Sequence, residues 1–499
     1  MMITMKPCNT MPVIVLVLMA LFIFTTGIHI SYTFIDEVEV ADPVINFLSG
    51  NGYTTTAWAV TNRSVTHVST APAYSLSLLL WLKLFGISQT AVRTLPAFLA
   101  LCGALVFWRA CLRSGLIKSG GAGVVVICVL LMDYGYAFSY TYGRPDSLTA
   151  LLIATMFYFY TLQNKRIALF VIGAIAIFLP FVQWASILYL FFLSIALLIL
   201  LRKNILPYVA TVFVCMAVGL LVQKWLYTYF GIWETWIDTI RVERLENIAQ
   251  HIAYRMTLDA LLHGHSNSVP KDFSALIIMM GMAAIYIRGK FLHLGEGIPF
   301  AKSSWIIVAI VSLGMYFVGK FPTYYSWMLC FPLAAILGAY FDKAASASRS
   351  EIKIVAFIVM LACGVGLPLQ AALASYDWHD RNPAAMSAKL GKIISKQDVV
   401  FCDYPFYYIV KERAGMTFVG SYFDRMTQEE LDSVTLVVAA RSGTAWRQST
   451  HTLKDESVIW DWTPEHSGIL GNNWKYGILS TPNYAGTVYK LKEPAPTAF

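Results

Sequence analysis

The sequence predicts a polytopic α-helical membrane protein with about eleven spans, a large first extracytoplasmic loop and a small C-terminal α/β domain outside the membrane. Three observations carry this. The 499 residues are 57% hydrophobic and only 13% charged, with a mean hydropathy of +0.60, whereas soluble domains are roughly one quarter charged. Apolar runs of near-spanning length recur from Pro12 to Ala371. Basic residues gather at the ends of every second run.

The runs are Pro12 to Ile30, Val92 to Ala110, Gly121 to Phe138, Leu148 to Leu162, Ile167 to Val182, Ala185 to Leu201, Ile205 to Val222, Ser274 to Ile287, Ser304 to Val318, Tyr325 to Tyr340 and Ile354 to Ala371. The first is preceded by Lys6 and followed by no small-residue cleavage site, so it reads as a retained span with a cytoplasmic N-terminus. The even-numbered spans then end in basic residues: Arg109, Arg113 and Lys118; Lys165 and Arg166; Arg202 and Lys203; Arg288 and Lys290; Lys343 and Arg349. The stretch Ala73 to Gly86 would reverse this alternation if it crossed, so it is predicted to lie in the outer interface.

The chain therefore divides into a membrane domain, residues 1–374, and an extracytoplasmic tail, residues 375–499. Residues 31–91 and 223–273 form the two long outer loops of the membrane domain. In the tail, "QDVVFCDY", "VTLVVAARSG" and "TVYKLK" read as strands and "AAMSAKLGKIIS" as an amphipathic helix. The net charge of +8 follows the positive-inside pattern and is no nucleic-acid footprint. Five of the eight cysteines, Cys102, Cys128, Cys215, Cys330 and Cys363, sit in apolar runs and Cys402 in the tail, with no disulfide or zinc spacing.

The chemistry-bearing residues cluster at the outer ends of the spans. Asp36 and Glu37 follow the first span; Asp42-Pro43 reads as a helix start and Gly50-Asn51-Gly52 as its stop, which places the acidic pair in the turn before a surface helix. The plain alternative for the pair is a solvated acidic loop. "GRPD" holds Arg144 and Asp146 in a turn, because Pro145 disfavours helix at the residue before it; the plain alternative is an interfacial ion pair. Asp133 lies within the third predicted span, where a carboxylate must face the bundle or a wet cavity. Lys320 closes the ninth span on the outer side and either snorkels or binds an anion. A carboxylate able to take a proton and two cations able to hold a phosphate are the parts required for group transfer from a phosphorylated lipid.

This order of motifs resembles the GT-C glycosyltransferases, specifically the polyprenyl-phosphate-sugar-dependent group that includes protein O-mannosyltransferases and aminoarabinose transferases. The matching elements are "IDEVEV", "LSGNGY", "HVSTAPAYSLSLLLWLKLFGIS", "VRTLPAF", "GRPDSL" and the late "KFPTYYSWMLCFPLAAIL" with Lys320 and Tyr324. The resemblance implies an inverting transfer from a polyprenyl-phosphate sugar donor to a hydroxyl of a glycan, lipid or protein acceptor on the extracytoplasmic side. The short loops and absence of sorting signals point to a bacterial inner membrane, against which stands the glycosylation sequon at Asn62. The resemblance implies Asp36 as catalytic base with Glu37 assisting. Arg144, Asp146, Lys320 and Tyr324 would bind substrate, with Arg144 and Lys320 on the donor phosphate, and His67, Tyr74 and Arg93 would shape the cavity. The sequence departs from the family where Ala71 replaces one of two prolines before Tyr74, and His67 stands further from Pro72 than in the mannosyltransferases. Family members differ in metal use, so a divalent metal stays open; His263 and His265 of "HGH" offer ligands, with a polar turn as the plainer reading. The competing function is a lipid-linked sugar flippase, which calls for broken helices at the midplane.

Overall fold

The computed structural model describes residues 10–30, 33–58, 63–201, 205–240, 273–291, 306–314, 325, 327–347, 349–376, 378–440, 456–462, 484 and 486–491. Two compact units emerge: residues 1–29, 70–74 and 94–370 form the first, and residues 30–69, 75–93 and 371–499 the second.

The first unit is a helical bundle. Among the described residues, five helices are long and apolar enough to cross a membrane: Thr10–Ile30, Gln89–Arg113, Lys165–Val182, Leu206–Tyr229 and Trp327–Ala345. Two bent pairs raise the number to seven if each pair is one span. The chain is thus a multi-pass membrane protein. Asp146–Tyr160, Trp184–Ile199 and Phe273–Ile285 are shorter apolar helices; at 1.5 Å per residue, a helix of this length falls short of a hydrocarbon core of about 30 Å.

Both bends interrupt runs that the sequence reading drew as single spans. Gly120–Met132 and Tyr134–Thr141 meet at 58°, and Ser350–Gly364 and Leu367–Tyr376 at 41°. Asp133 is the cause of the first, since its side chain caps the second helix by accepting from the backbone N–H of Tyr136 at 2.9 Å. Ser274 ties the two breaks together by accepting from Tyr134 N–H at 3.0 Å and donating to the carbonyl of Ala362 at 2.9 Å. Gly366 is required there: a Cβ would lie 1.7 Å from the carbonyl oxygen of Met132.

The second unit is built from the first loop and the tail. Its sheet has the order β2-β1-β3-β5-β4, with β1 Val399–Cys402, β2 Met416–Val419, β3 Leu436–Ala440, β4 Glu456–Trp462 and β5 Gly486–Leu491. β1 is parallel to β2 and β3, while β5 runs antiparallel to β3 and β4. Phe401, Phe418, Tyr422, Val434 and Val437 form a core beside it. The three strands and the helix expected in the tail are present, the helix as Pro383–Leu390.

The first-loop helix spans Ile35–Leu48 and contains Pro43, so Asp42-Pro43 is not its start. Asp42 does not cap because its carboxylate is fully engaged elsewhere, as described below. Asp36 and Glu37 consequently occupy the first helical turn and not the turn before it. The stop is as expected: the helix ends at Leu48, and Gly50 follows at φ +84°.

Candidate functional site

In the Ile35–Leu48 helix, Glu37, Val38, Ala41, Asp42, Val44, Ile45 and Asn46 share a broad buried stripe, and Pro43 beside it is buried too. Asp36, one residue before Glu37, falls off that stripe with Glu39 and Val40 and is half-buried. The neighbouring carboxylates therefore meet different surroundings. Glu37 is fully buried and bound by both teeth of one guanidinium: Arg93 Nε and Nη2 donate to Oε1 and Oε2, each at 2.9 Å. This two-point pairing spends both oxygens of Glu37 on a planar fork. Asp36 keeps exposed surface at a helix N-terminus, where the peptide dipoles favour a negative charge.

One helical turn further on, Asp42 is the hub of the unit. Its Oδ1 accepts from Tyr407 Oη at 2.7 Å and Lys411 Nζ at 3.0 Å; its Oδ2 accepts from Thr56 N–H at 2.8 Å, Thr55 Oγ1 at 2.9 Å and Asn46 Nδ2 at 3.2 Å. Burial alone would raise this carboxyl, but Lys411 and the donated hydrogen bonds outweigh it and hold the pKa below the usual 3.8. The ring of His67 lies 5.8 Å from that of Tyr53 and 5.9 Å from that of Trp58. Burial lowers its pKa from 6.5 to about 4 against the pull of Asp42, so His67 is neutral near pH 7 and lines the interior of the unit.

In the first unit, the "GRPD" segment forms the expected turn, and Asp146 opens the helix Asp146–Tyr160. Arg144 Nε donates to Asp146 Oδ2 at 2.8 Å, and Asp146 Oδ1 accepts from Gln183 Nε2 at 3.0 Å and Trp327 Nε1 at 3.1 Å. Thr149 in turn donates to Gln183 Oε1 at 3.2 Å. All of these side chains are buried. Asp146 thus orients Arg144 from within a filled hydrogen-bond network. The guanidinium also lies 5.9 Å from the centre of the Tyr325 ring. Tyr74 donates to the carbonyl of Gly143 at 3.0 Å and so pins the same turn.

Of the residues named from the sequence, Glu37 and Arg93 come together as a pair, as do Arg144 and Asp146, while Tyr74 supports the second pair through backbone. Lys320, Tyr324, His263 and His265 lie outside the described residues. Among the described residues no group of three or more His, Cys, Asp or Glu is placed to hold a metal. Sequence reasoning missed the Asp42 hub, because Tyr407 and Lys411 stand 365 and 369 residues away and carry no local signal. Gln183 and Trp327 were missed for the same reason.

No family model matches the chain, and no curated protein matches it. Several solved structures do, and two have a TM-score above 0.5 among those compared. ArnT from Cupriavidus metallidurans bound to undecaprenyl phosphate superposes with a TM-score of 0.52 at 12% identity, covering 96% of this chain and 97% of that one. The same protein in the apo state gives 0.53 at 12% identity with the same coverage. At that identity the likeness speaks to the fold, and over nearly the whole length of both proteins the fold of this chain is that of ArnT, a GT-C glycosyltransferase, as the order of its motifs led us to expect.

Proposed function

We propose that the protein is an inverting glycosyltransferase that moves a sugar from a polyprenyl-phosphate donor to an acceptor hydroxyl on the extracytoplasmic side of the inner membrane. Asp36 takes the proton of the acceptor hydroxyl as its oxygen bonds to the anomeric carbon from the face opposite the phosphate. The bond from that carbon to the phosphate oxygen breaks, and the lipid phosphate leaves with the electron pair. One carboxylate suffices, because a phosphate leaves well without an acid partner. The observation that carries this reading is the division of labour in the first turn: Arg93 consumes Glu37, so Asp36 is the member of the pair left half-exposed. Glu37 serves as its anchor. The ArnT fold supports the reading, and the undecaprenyl phosphate bound to that protein suggests the same lipid class as donor carrier here. Arg144 and Lys320 are assigned to the donor phosphate. The seven long or bent spans, the three short apolar helices and the span read from the sequence at Ser304 to Val318 together make eleven crossings, with the N-terminus inside and the tail outside.

The test uses the full chain in lipid nanodiscs with a polyprenyl-phosphate sugar and follows release of lipid phosphate. Asp36→Asn should abolish release while leaving thermal unfolding unchanged; substantial residual turnover would overturn the base assignment.

A flippase is the second reading, and the two bent helix pairs favour it, since discontinuous helices are a transporter device. Labelled donor that crosses a vesicle bilayer with its sugar–phosphate bond intact would identify that activity instead.

A further inference from the structure

The second unit contains a cavity of about 860 Å³ that none of the roles above uses. Its volume lies within the range of small-molecule sites, about 300–1,000 Å³. One wall comes from the end of the Ile35–Leu48 helix, the segment after it and residues 87–90; the other comes from the tail. We propose that this cavity is a binding subsite for a neutral, hydroxyl-rich saccharide, the part of a glycan acceptor that lies beyond the reacting hydroxyl. This rests on the transferase reading for its place in the reaction, but not for its chemistry.

The cationic groups on the walls are already engaged, and the one acidic lining residue, Glu412, repels an anion further. Lys411 Nζ is held by Asp42 Oδ1 at 3.0 Å and Asn46 Oδ1 at 2.7 Å. Lys396 Nζ donates to the carbonyls of Glu412 at 2.8 Å and Ala414 at 3.4 Å. Arg63 Nε pairs with Glu430 at 3.2 Å. An anionic ligand would have to compete with all three sets of partners, whereas a neutral one leaves them in place. Apart from Glu412, the remaining polar wall is rich in hydroxyls and amides, among them Ser49, Asn51, Thr54, Ser88, Gln89 and Thr90. Groups of this kind both give and accept hydrogen bonds, which matches the alternating donors and acceptors of sugar hydroxyls. Tyr408 adds an aromatic ring for the apolar C–H face of a pyranose, held edge-on against Tyr407 at 5.0 Å and 73°.

An extended peptide is the natural competitor, because β2 is an edge strand and its residues line the cavity. That edge is occupied. Val419 N–H donates to the carbonyl of Thr56 at 3.0 Å, and Thr56 Oγ1 donates to the carbonyl of Thr417 at 2.7 Å. Two of the backbone groups that a peptide strand would use are therefore already paired within the chain.

The experiment measures binding of neutral gluco-, galacto- and manno-configured di- and trisaccharides to the full chain in nanodiscs by saturation-transfer NMR. Inorganic phosphate and an unstructured peptide serve as comparison probes. Ala384→Trp and Ser49→Trp, both at exposed wall positions, should each weaken saccharide binding at least tenfold, and Ala384→Ser should not. Binding should be insensitive to salt. Absence of saccharide binding at millimolar concentration, indifference to both Trp substitutions, or preference for phosphate or peptide would overturn the proposal. Because donor turnover is not read in this assay, saccharide binding without lipid-phosphate release would retire the transferase reading and leave the subsite standing.

Discussion

The Glu37–Arg93 pair makes a demanding prediction. Both side chains are almost inaccessible, at 0% and 3% exposure, and both contacts are 2.9 Å. Removing one partner, as in Arg93→Met, strands a carboxylate inside the unit, at a cost of about 3–5 kcal/mol. For a domain of about 150–250 residues this corresponds to a fall in Tm of about 6–20 °C. Replacing both, with Glu37→Leu and Arg93→Met together, removes the charge along with its partner and should recover most of the loss. A suitable reporter is Cys402, a fully buried thiol in the same unit: its alkylation during a temperature ramp, read by peptide mass spectrometry, marks the opening of that unit alone. The Arg63–Glu430 pair, with 39% of the arginine side chain exposed, is the internal control, and its loss should cost no more than about 1 kcal/mol. If Arg93→Met behaved like the control, or if the double replacement were as damaging as the single one, the account of Glu37 as a buried anchor would fail.

Further outcomes can be measured on the same unit. Burial raises the Asp403 carboxyl from 3.8 to about 6, with the Ala440 N–H pulling the other way, so the stability it supports is present below pH 3.8 and is lost as pH rises through 6. Burial lowers His67 from 6.5 to about 4, so its contribution is complete above 6.5 and is lost as pH falls through 4. Each is worth about 3 kcal/mol and the two slopes oppose, which leaves the parent protein nearly flat between pH 4 and 6; Asp403→Asn should become acid-sensitive across that window and His67→Phe should lose stability with rising pH, as followed by Cys402 alkylation. In the first unit, Tyr74→Phe removes the donor to Gly143 and should cost about 1–3 kcal/mol, slowing lipid-phosphate release with little change in the Cys402 profile. Gly366→Ala forces a Cβ onto the Met132 carbonyl and should abolish accumulation of folded protein in the membrane, checked by yield and size-exclusion profile.

What the sequence disclosed follows from the range of the forces involved. Apolar runs, basic ends and turn residues act over a few positions, so the helices, the Gly50 stop and the Arg144 turn could be read directly. The identity of the acidic segment was legible, but its geometry was not. Asp42-Pro43 has the local signature of a helix start, yet tertiary partners at Tyr407 and Lys411 claimed the carboxylate and let the helix begin at Ile35. Asp133 shows the converse: read as a costly charge within a span, it is a local cap that divides one. The union of first loop and tail in one unit rests on pairings more than 350 residues apart, and no window along the chain carries such information.

The covering of β2 by Thr56 has a consequence for how the protein is made. The contact links residues 361 positions apart, so the loop emerges from the ribosome long before the strand it protects. Until the tail arrives, the carbonyl of Thr56 has no strand to receive, and the sheet cannot close its edge without a segment that was delivered first. The early loop acts as a template waiting for its sheet. A tail produced without it would display a bare β2 edge and should pair with copies of itself.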